Sequence, residues 1–294
     1  METAKNIRNN AYLKLRESGI QGSEAAVEAD ILMEYVFRLK NKDIIINPDR
    51  KLPAHKVEKF NALIERRIKE KIPVQYLTNT AYFMGCKFYV DENVLIPRPE
   101  TEILVEEVLK IVSSDFTSSQ KLSVIDVGTG SGCIACMLAK YLQHAQITAS
   151  DISEKALEVA KINAEKLNVA SKIDFRLSDI FSNIEGKFNL IVSNPPYISI
   201  KERENLQFEV SGHEPHLALF TDDESGLDFY RKLIRQAQSK LQAEGYLAFE
   251  IGFSQSESIK EILLDHGFKE IRIIKDYNNI ERVVIAKIYT DMYL

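Results

Sequence analysis

The sequence is poor in the features that would mark several large classes of protein. Three cysteines in 294 residues, an odd number, exclude a disulfide framework and point to a reducing, cytoplasmic setting. No window is apolar and long enough to suggest a membrane span, and the polar start METAKNIRNNAYLK does not resemble a secretory signal. A basic excess is missing too: the net charge is −5, so the chain as a whole has no general attraction for nucleic acid or for anionic membrane. Histidine is scarce. His213-Glu214-Pro215-His216 is the one cluster of metal-ligand type, and Pro215 spoils a helical i, i+3 pair with no third ligand in view, so no metal is expected. Cys133 and Cys136 form a C-x-x-C, but they sit in the apolar run CIACMLAKYL, where packing accounts for both.

What remains is a chain with 45% hydrophobic residues, ample for a core and long enough for two domains. Charge is unevenly divided. Residues 1–91 carry 16 Lys and Arg against 12 Asp and Glu, whereas the rest carry 22 against 31. Helical periodicity predicts helices over 3–18, over 23–39 with Ser23 as N-cap, and over 54–71, separated by an Asn47-Pro48-Asp49 turn. Between Pro73 and Pro97 short alternating runs, AYFMG and KFYVDENVLIP, read as a β-hairpin. From LSVIDV onward strand and helix alternate, and a final pair of strands is joined by a connection too short for a crossover. The expected architecture is α/β: a mainly parallel sheet covered on both faces, its last strands antiparallel, preceded by a small helical bundle.

The stretch that organises the chemistry is Lys187 to Tyr197, KFNLIVSNPPY. A dense apolar strand breaks into Asn-Pro-Pro-Tyr, and the consecutive prolines hold Asn194 and Pro195 extended. The carboxyl end of a strand in an open α/β sheet is where ligands bind. Upstream, Gly128-Thr129-Gly130-Ser131-Gly132 follows the first sheet strand and opens a helix, so backbone N–H groups face a closely approaching ligand. Its G-x-G-x-G spacing differs from the dinucleotide fingerprint and suits a nucleoside with an amino-acid tail. Asp151, 23 residues after Gly128 at the end of the second strand, can accept from both ribose hydroxyls. Asp179 ends the third strand, where it can accept from an adenine amino group while Ile180 covers the ring. Taken singly, each Asp is more often a strand-end or cap residue; glycine loop, Asp151, Asp179 and NPPY together specify S-adenosyl-L-methionine, with S-adenosyl-L-homocysteine as product.

PVQYL at residue 73, IPRPET, DVGTGSG, SNPPYI, EVSGHEP, GLDFYR and FEIGFSQ together resemble the HemK/PrmC family of N5-glutamine methyltransferases, over nearly the whole chain. The resemblance implies a seven-stranded, Rossmann-like class I methyltransferase sheet. The domains it implies are a helical substrate-recognition domain over 1–75, a hairpin linker over 76–98 and a catalytic domain over 99–294. It also implies a substrate, the glutamine of the Gly-Gly-Gln motif in class 1 peptide chain release factors. A cytoplasmic monomer without direct nucleic-acid contact is expected. Asn194, Pro195 and Tyr197 are the expected catalytic residues, with Pro196 beside them in binding substrate. Arg98, braced by a proline on each side, joins Asn194, the glycine loop, Asp151, Asp179 and Ile180 as an expected cofactor contact. The chain departs from the family pattern at Asn79, Tyr82, Asn189 and Thr221-Asp222-Asp223. Two rival readings stay open: an adenine-N6 nucleic-acid methyltransferase, which uses the same Asn-Pro-Pro-aromatic logic on a flipped base, and an inactive binding module that keeps the cofactor fold.

Overall fold

A computed structural model describes residues 2–117 and 120–289. They fall into two compact units, Met1–Thr80 together with Phe208–His213, and Ala81–Gln207 together with Glu214–Leu294.

The first unit is helical. Its helices span Ala4–Glu17, Gly22–Phe37, Asn41–Ile46, Ala54–Glu70 and Val74–Thr78, and Phe208–His213 adds a short sixth. Ile7, Leu15, Leu32, Met33, Phe60 and Ile64 recur at helical spacing and meet in one core. Ser23 is not the cap expected of it: the second helix starts at Gly22 after Gln21, with no side-chain cap. That helix stops at Phe37 because Arg38 turns left-handed, at φ 60°. The short helices Asn41–Ile46 and Val74–Thr78 escape a periodicity reading, since five or six residues show too little of the repeat. Asn79 closes the latter at φ 47°, a conformation asparagine tolerates well, so the turn survives the departure there. The Arg67 guanidinium is buried. It bonds the Glu28 carboxylate at 2.9 and 3.0 Å and Glu209 at 3.0 Å.

The second unit opens with a hairpin of strands Ala81–Phe83 and Cys86–Phe88, whose Phe83 and Phe88 rings meet edge-on in its core. Seven strands then form one sheet: β1 (Leu122–Val127), β2 (Ala145–Asp151), β3 (Ile173–Leu177), β4 (Phe188–Ser193), β5 (Leu241–Glu250), β6 (Phe268–Lys275) and β7 (Glu281–Ile288). The spatial order is β6-β7-β5-β4-β1-β2-β3, parallel except at β7, which runs antiparallel to both neighbours. Side chains alternate between two cores, as a period of two requires. Val124, Leu190, Val192, Ala248 and Ile285 pack on one face, with Ile125, Ile191, Leu247, Phe249 and Val284 on the other. Helices Pro99–Asp115 and Cys133–Tyr141 cover the first face; Asp228–Lys240 and Ser256–Asp265 cover the second. Helix Asp228–Lys240 runs directly into β5, which carries Gly245 within it.

Asn189, at the start of β4, is buried and uses both halves of its amide. Its Oδ1 accepts from the Ser123 N–H and its Nδ2 donates to Gln242 Oε1, a bond an aspartate could not make. Cys133 and Cys136 are buried among apolar side chains, and burial pushes the Cys133 thiol up to about 12. Both are packing residues. No helix among the described residues is long and apolar enough to cross a membrane.

Candidate active site

The chain leaves β1 in two directions, through β2 and β3 on one side and through β4 and β5 on the other. The strand order therefore reverses between β1 and β4, and a crevice opens beyond their carboxyl ends. Register brings the ends level: Val127 stands beside Ser193 on β4 and beside Ser150 on β2. Gly128, Asn194 and Asp151, each the next residue or the last of its strand, meet there. A cavity of about 380 Å³ lies among them, lined by the glycine loop, Asp151, Asp179, Ile180, Asn194 and Pro196.

The three glycines have distinct duties. All adopt positive φ, but a Cβ at Gly128 or Gly130 would project into open space, whereas one at Gly132 would stand 2.9 Å from the Ala160 Cβ. Gly128 and Gly130 keep the ligand space clear; Gly132 admits the helix Glu154–Lys166 against the loop. Asp151 braces the same loop. Its Oδ2 accepts from the Gly130 N–H at 2.8 Å and its Oδ1 from Ser153 at 2.9 Å, leaving each oxygen a further lone pair; burial raises its pKa against those bonds. Ile180 is held at φ 51°, unusual for a β-branched residue, and Asp179 beside it is exposed with its N–H bonded to Ser182. Backbone strain of this kind collects where a ligand needs a particular wall.

Asn194 donates from Nδ2 to the Thr101 hydroxyl at 3.0 Å, and its Oδ1 has no protein partner among the described residues. Thr101 donates in turn to Glu250 Oε2 at 2.6 Å, while the Tyr197 hydroxyl donates to Glu250 Oε1 at 3.2 Å. Burial raises the Glu250 pKa and both hydroxyl donors oppose the rise; Tyr197 is pushed upward by burial and by the nearby carboxylate. Pro195 is buried, and neither it nor the Tyr197 ring lines the cavity: the ring packs against Gly252 and the second core instead. Gln255 ties down the end of the loop, donating to the Tyr197 carbonyl at 3.1 Å and to Gly226 at 3.3 Å, and accepting from Gly252 at 2.9 Å. Arg98 does line the cavity, but its guanidinium is already paired, 2.7 Å from the buried Glu214 carboxylate.

Sequence reasoning missed Thr101, Glu250, Gln255, Glu214 and Asp126. Each lies in or beside a motif quoted above, and the available signal was a charged or polar residue inside an apolar run, as in YLAFEIG. Asp126, fully buried on β1, accepts from Thr129 at 2.6 Å and Ala135 at 3.2 Å with Oδ2, while its Oδ1 has no partner among the described residues. Burial pushes its carboxyl up to about 7. Asp223 secures the loop before helix Asp228–Lys240, accepting from Leu227, Asp228 and Ser225, which hold its carboxyl far below the usual range.

A doubly covered seven-stranded sheet, an open glycine loop and an acidic strand end beside a proline-locked asparagine define a class I methyltransferase, with S-adenosyl-L-methionine as methyl donor. Residues 101–210 match the family described as Methyltransferase small domain, and residues 6–78 match the PrmC N-terminal domain. The chain belongs to the release factor glutamine methyltransferase family. It is 38% identical to the protein of that name from Chlorobaculum tepidum, covering 88% of this chain and 89% of that one. It is 37% identical to the one from Clostridium acetobutylicum, covering 88% and 90%. It also spans 56% of a Bifunctional methyltransferase from Rickettsia typhi, 37% identical over 95% of this chain. Among solved structures, a methyltransferase from Pyrococcus furiosus (18% identical, TM-score 0.53, 79% of this chain and 100% of that one) shares the fold. So does the hMettl16 catalytic domain (16% identical, TM-score 0.56, 84% and 88%). At those identities the likeness concerns the fold alone.

Proposed function

We propose that this enzyme methylates the side-chain amide nitrogen of the glutamine in the Gly-Gly-Gln motif of class 1 release factors. The observation that carries the reading is the Asn194 carboxamide, which belongs to a residue lining the cavity and whose Nδ2 is engaged by Thr101. Gly128, Gly130, Asp151, Asp179 and Ile180 fit the donor, because the loop leaves the space a nucleoside tail needs and Asp151 retains lone pairs for a ribose. When bound, S-adenosyl-L-methionine supplies an electrophilic methyl group on a sulfonium.

A glutamine amide nitrogen is a poor nucleophile, since its lone pair is delocalised into the carbonyl. Asn194 Oδ1 accepts one of its N–H bonds and fixes which way the nitrogen faces. As that nitrogen gains positive charge its N–H groups become stronger donors, so the same acceptor stabilises the transition state more than the ground state. The proton leaves to solvent afterwards, which explains why no histidine is needed. Tyr197 contributes by being immobile, its hydroxyl on Glu250 and its carbonyl on Gln255.

We assign release-factor recognition to the first, mildly basic unit, and take the enzyme to be a cytoplasmic monomer acting on protein rather than nucleic acid. The acidic balance of residues 92–294 supports the last point. Incubation with methyl-labelled S-adenosyl-L-methionine and purified release factor, followed by mass spectrometry, should place the label on the Gly-Gly-Gln glutamine. Label on adenine of a duplex, or on neither, would overturn the reading.

A further inference from the structure

We propose that Thr101 and Glu250 are positioning residues that decide which end of the Asn194 carboxamide faces the substrate. The inference rests on the amide-methylation reading above and concerns how its key acceptor is oriented.

An asparagine side chain is nearly symmetric in shape, and a half-turn about its last torsion would present two donors where the reaction needs an acceptor. Nothing in the NPPY backbone alone forbids that turn. The carboxylate of Glu250 does, at one remove. Glu250 is 1% exposed, on the last residue of β5, where both of its carboxylate oxygens accept from hydroxyls. Thr101 therefore spends its single hydroxyl proton on Oε2 at 2.6 Å, and what it offers Asn194 is a lone pair. The group 3.0 Å away must then be the Asn194 NH2, and Oδ1 is left for the cavity. The second carboxylate oxygen does the same for the other end of the motif, accepting from Tyr197, while the Glu250 backbone carbonyl accepts from the buried Tyr230 hydroxyl at 3.0 Å. One carboxylate thus sets hydrogen-bond polarity along a path of four residues drawn from three elements.

The path has no slack. Thr101 is 2% exposed, near the N-terminus of helix Pro99–Asp115, whose Leu104, Val105 and Val108 are anchored in the first core. Glu250 is fixed by β7, since Val283 pairs with it in register.

The test compares Thr101→Val, Thr101→Ser and Glu250→Gln by two readouts. The first needs no turnover: the Asn194 side-chain NH2 in 1H–15N spectra of the protein without cofactor, assigned by its disappearance in Asn194→Asp. Wild type should show one of its two protons protected from exchange. That protection should vanish in Thr101→Val, which keeps shape and loses the hydroxyl, and return in Thr101→Ser. It should weaken in Glu250→Gln, where the new amide can donate to Thr101 and compete with Asn194.

The second readout is steady-state kinetics with release factor, alongside calorimetric S-adenosyl-L-homocysteine binding. Thr101→Val should lower kcat by about 10- to 100-fold, the scale of a misplaced reacting group, with cofactor affinity held within about 3-fold. Thr101→Ser should recover most of the loss. Should Thr101→Val fail to fold, Glu250→Gln carries the comparison alone. Normal kcat and unchanged Asn194 exchange in the variants would overturn the proposal, as would a loss confined to cofactor affinity. Full activity in Asn194→Ala would instead sink the amide-methylation reading itself.

Discussion

Gly132→Ala is the sharpest test of the division of labour in the glycine loop, because the structure assigns it a cost that Gly130→Ala should not share. At φ 77° an alanine at position 132 meets the left-handed penalty of about 1–2 kcal/mol, as it would at Gly130 with φ 52°. Only at 132 does the new methyl collide, 2.9 Å from Ala160 Cβ and 3.1 Å from its Cα, well inside ordinary carbon contact. Ala160 lies mid-helix and fully buried, so it cannot withdraw without moving Glu154–Lys166; overpacking of that kind costs about 1–3 kcal/mol more. The total for Gly132→Ala is about 2–5 kcal/mol. Urea unfolding followed by circular dichroism at 222 nm measures it, with Ala160→Gly completing a double-mutant cycle in which a coupling of at least about 1 kcal/mol is expected. Gly130→Ala should instead lose mainly S-adenosyl-L-homocysteine affinity by calorimetry. Equal stability losses at 130 and 132, with no coupling to Ala160, would refute the reasoning.

Asn194→Ala should reduce methyl transfer by about 100- to 1,000-fold while keeping the fold and much of the cofactor affinity, checked by kinetics and calorimetry. The folded-state pKa of Asp126, about 7, lies above its unfolded value, so its contribution to stability is complete below pH ~4 and is lost as pH rises through about 7. Asp126→Asn should accordingly gain about 2–3 kcal/mol on wild type between pH 5 and pH 8 in urea titrations. Arg67→Met strands the buried Glu28 carboxylate and should cost about 3–5 kcal/mol, most of it recovered when Glu28→Gln is added. Arg98→Met strands Glu214 in the same way, and an equally large stability loss with unchanged cofactor affinity would mark Arg98 as a structural partner rather than a cofactor contact.

The central strands were legible because they are buried on both faces and read as apolar runs, and the intervening helices repeat at 3.6. The glycine loop, Asp151 and Asn194 were legible because each sits directly after or at the end of a strand, and register alone brings those ends level; Asp179 lies two residues beyond β3, which ends at Leu177. Thr101, Glu250 and Gln255 were not, since their partners lie far away in sequence: Thr101 is 93 residues from Asn194 and 149 from Glu250. A local pattern can say that a polar residue occupies an apolar strand. It cannot say which distant hydroxyl that residue answers. The ion pair of Arg98 was not legible for a related reason, because the two prolines that fix its backbone say nothing of the carboxylate, 116 residues on, that pairs with it.

The placement of Phe208–His213 within the first unit has a practical consequence for anyone cutting the gene. A fragment ending at Thr80 would contain Arg67 and Glu28 yet omit Glu209, and with it the His213 ring nitrogen that lies 2.8 Å from the Glu70 carbonyl. The helical unit is thus encoded in two separate pieces, and a swap between homologues that exchanges only the leading piece would part Arg67 from the Glu209 it bonds here. Chimeras that carry both segments together are the ones that should keep the parental melting temperature.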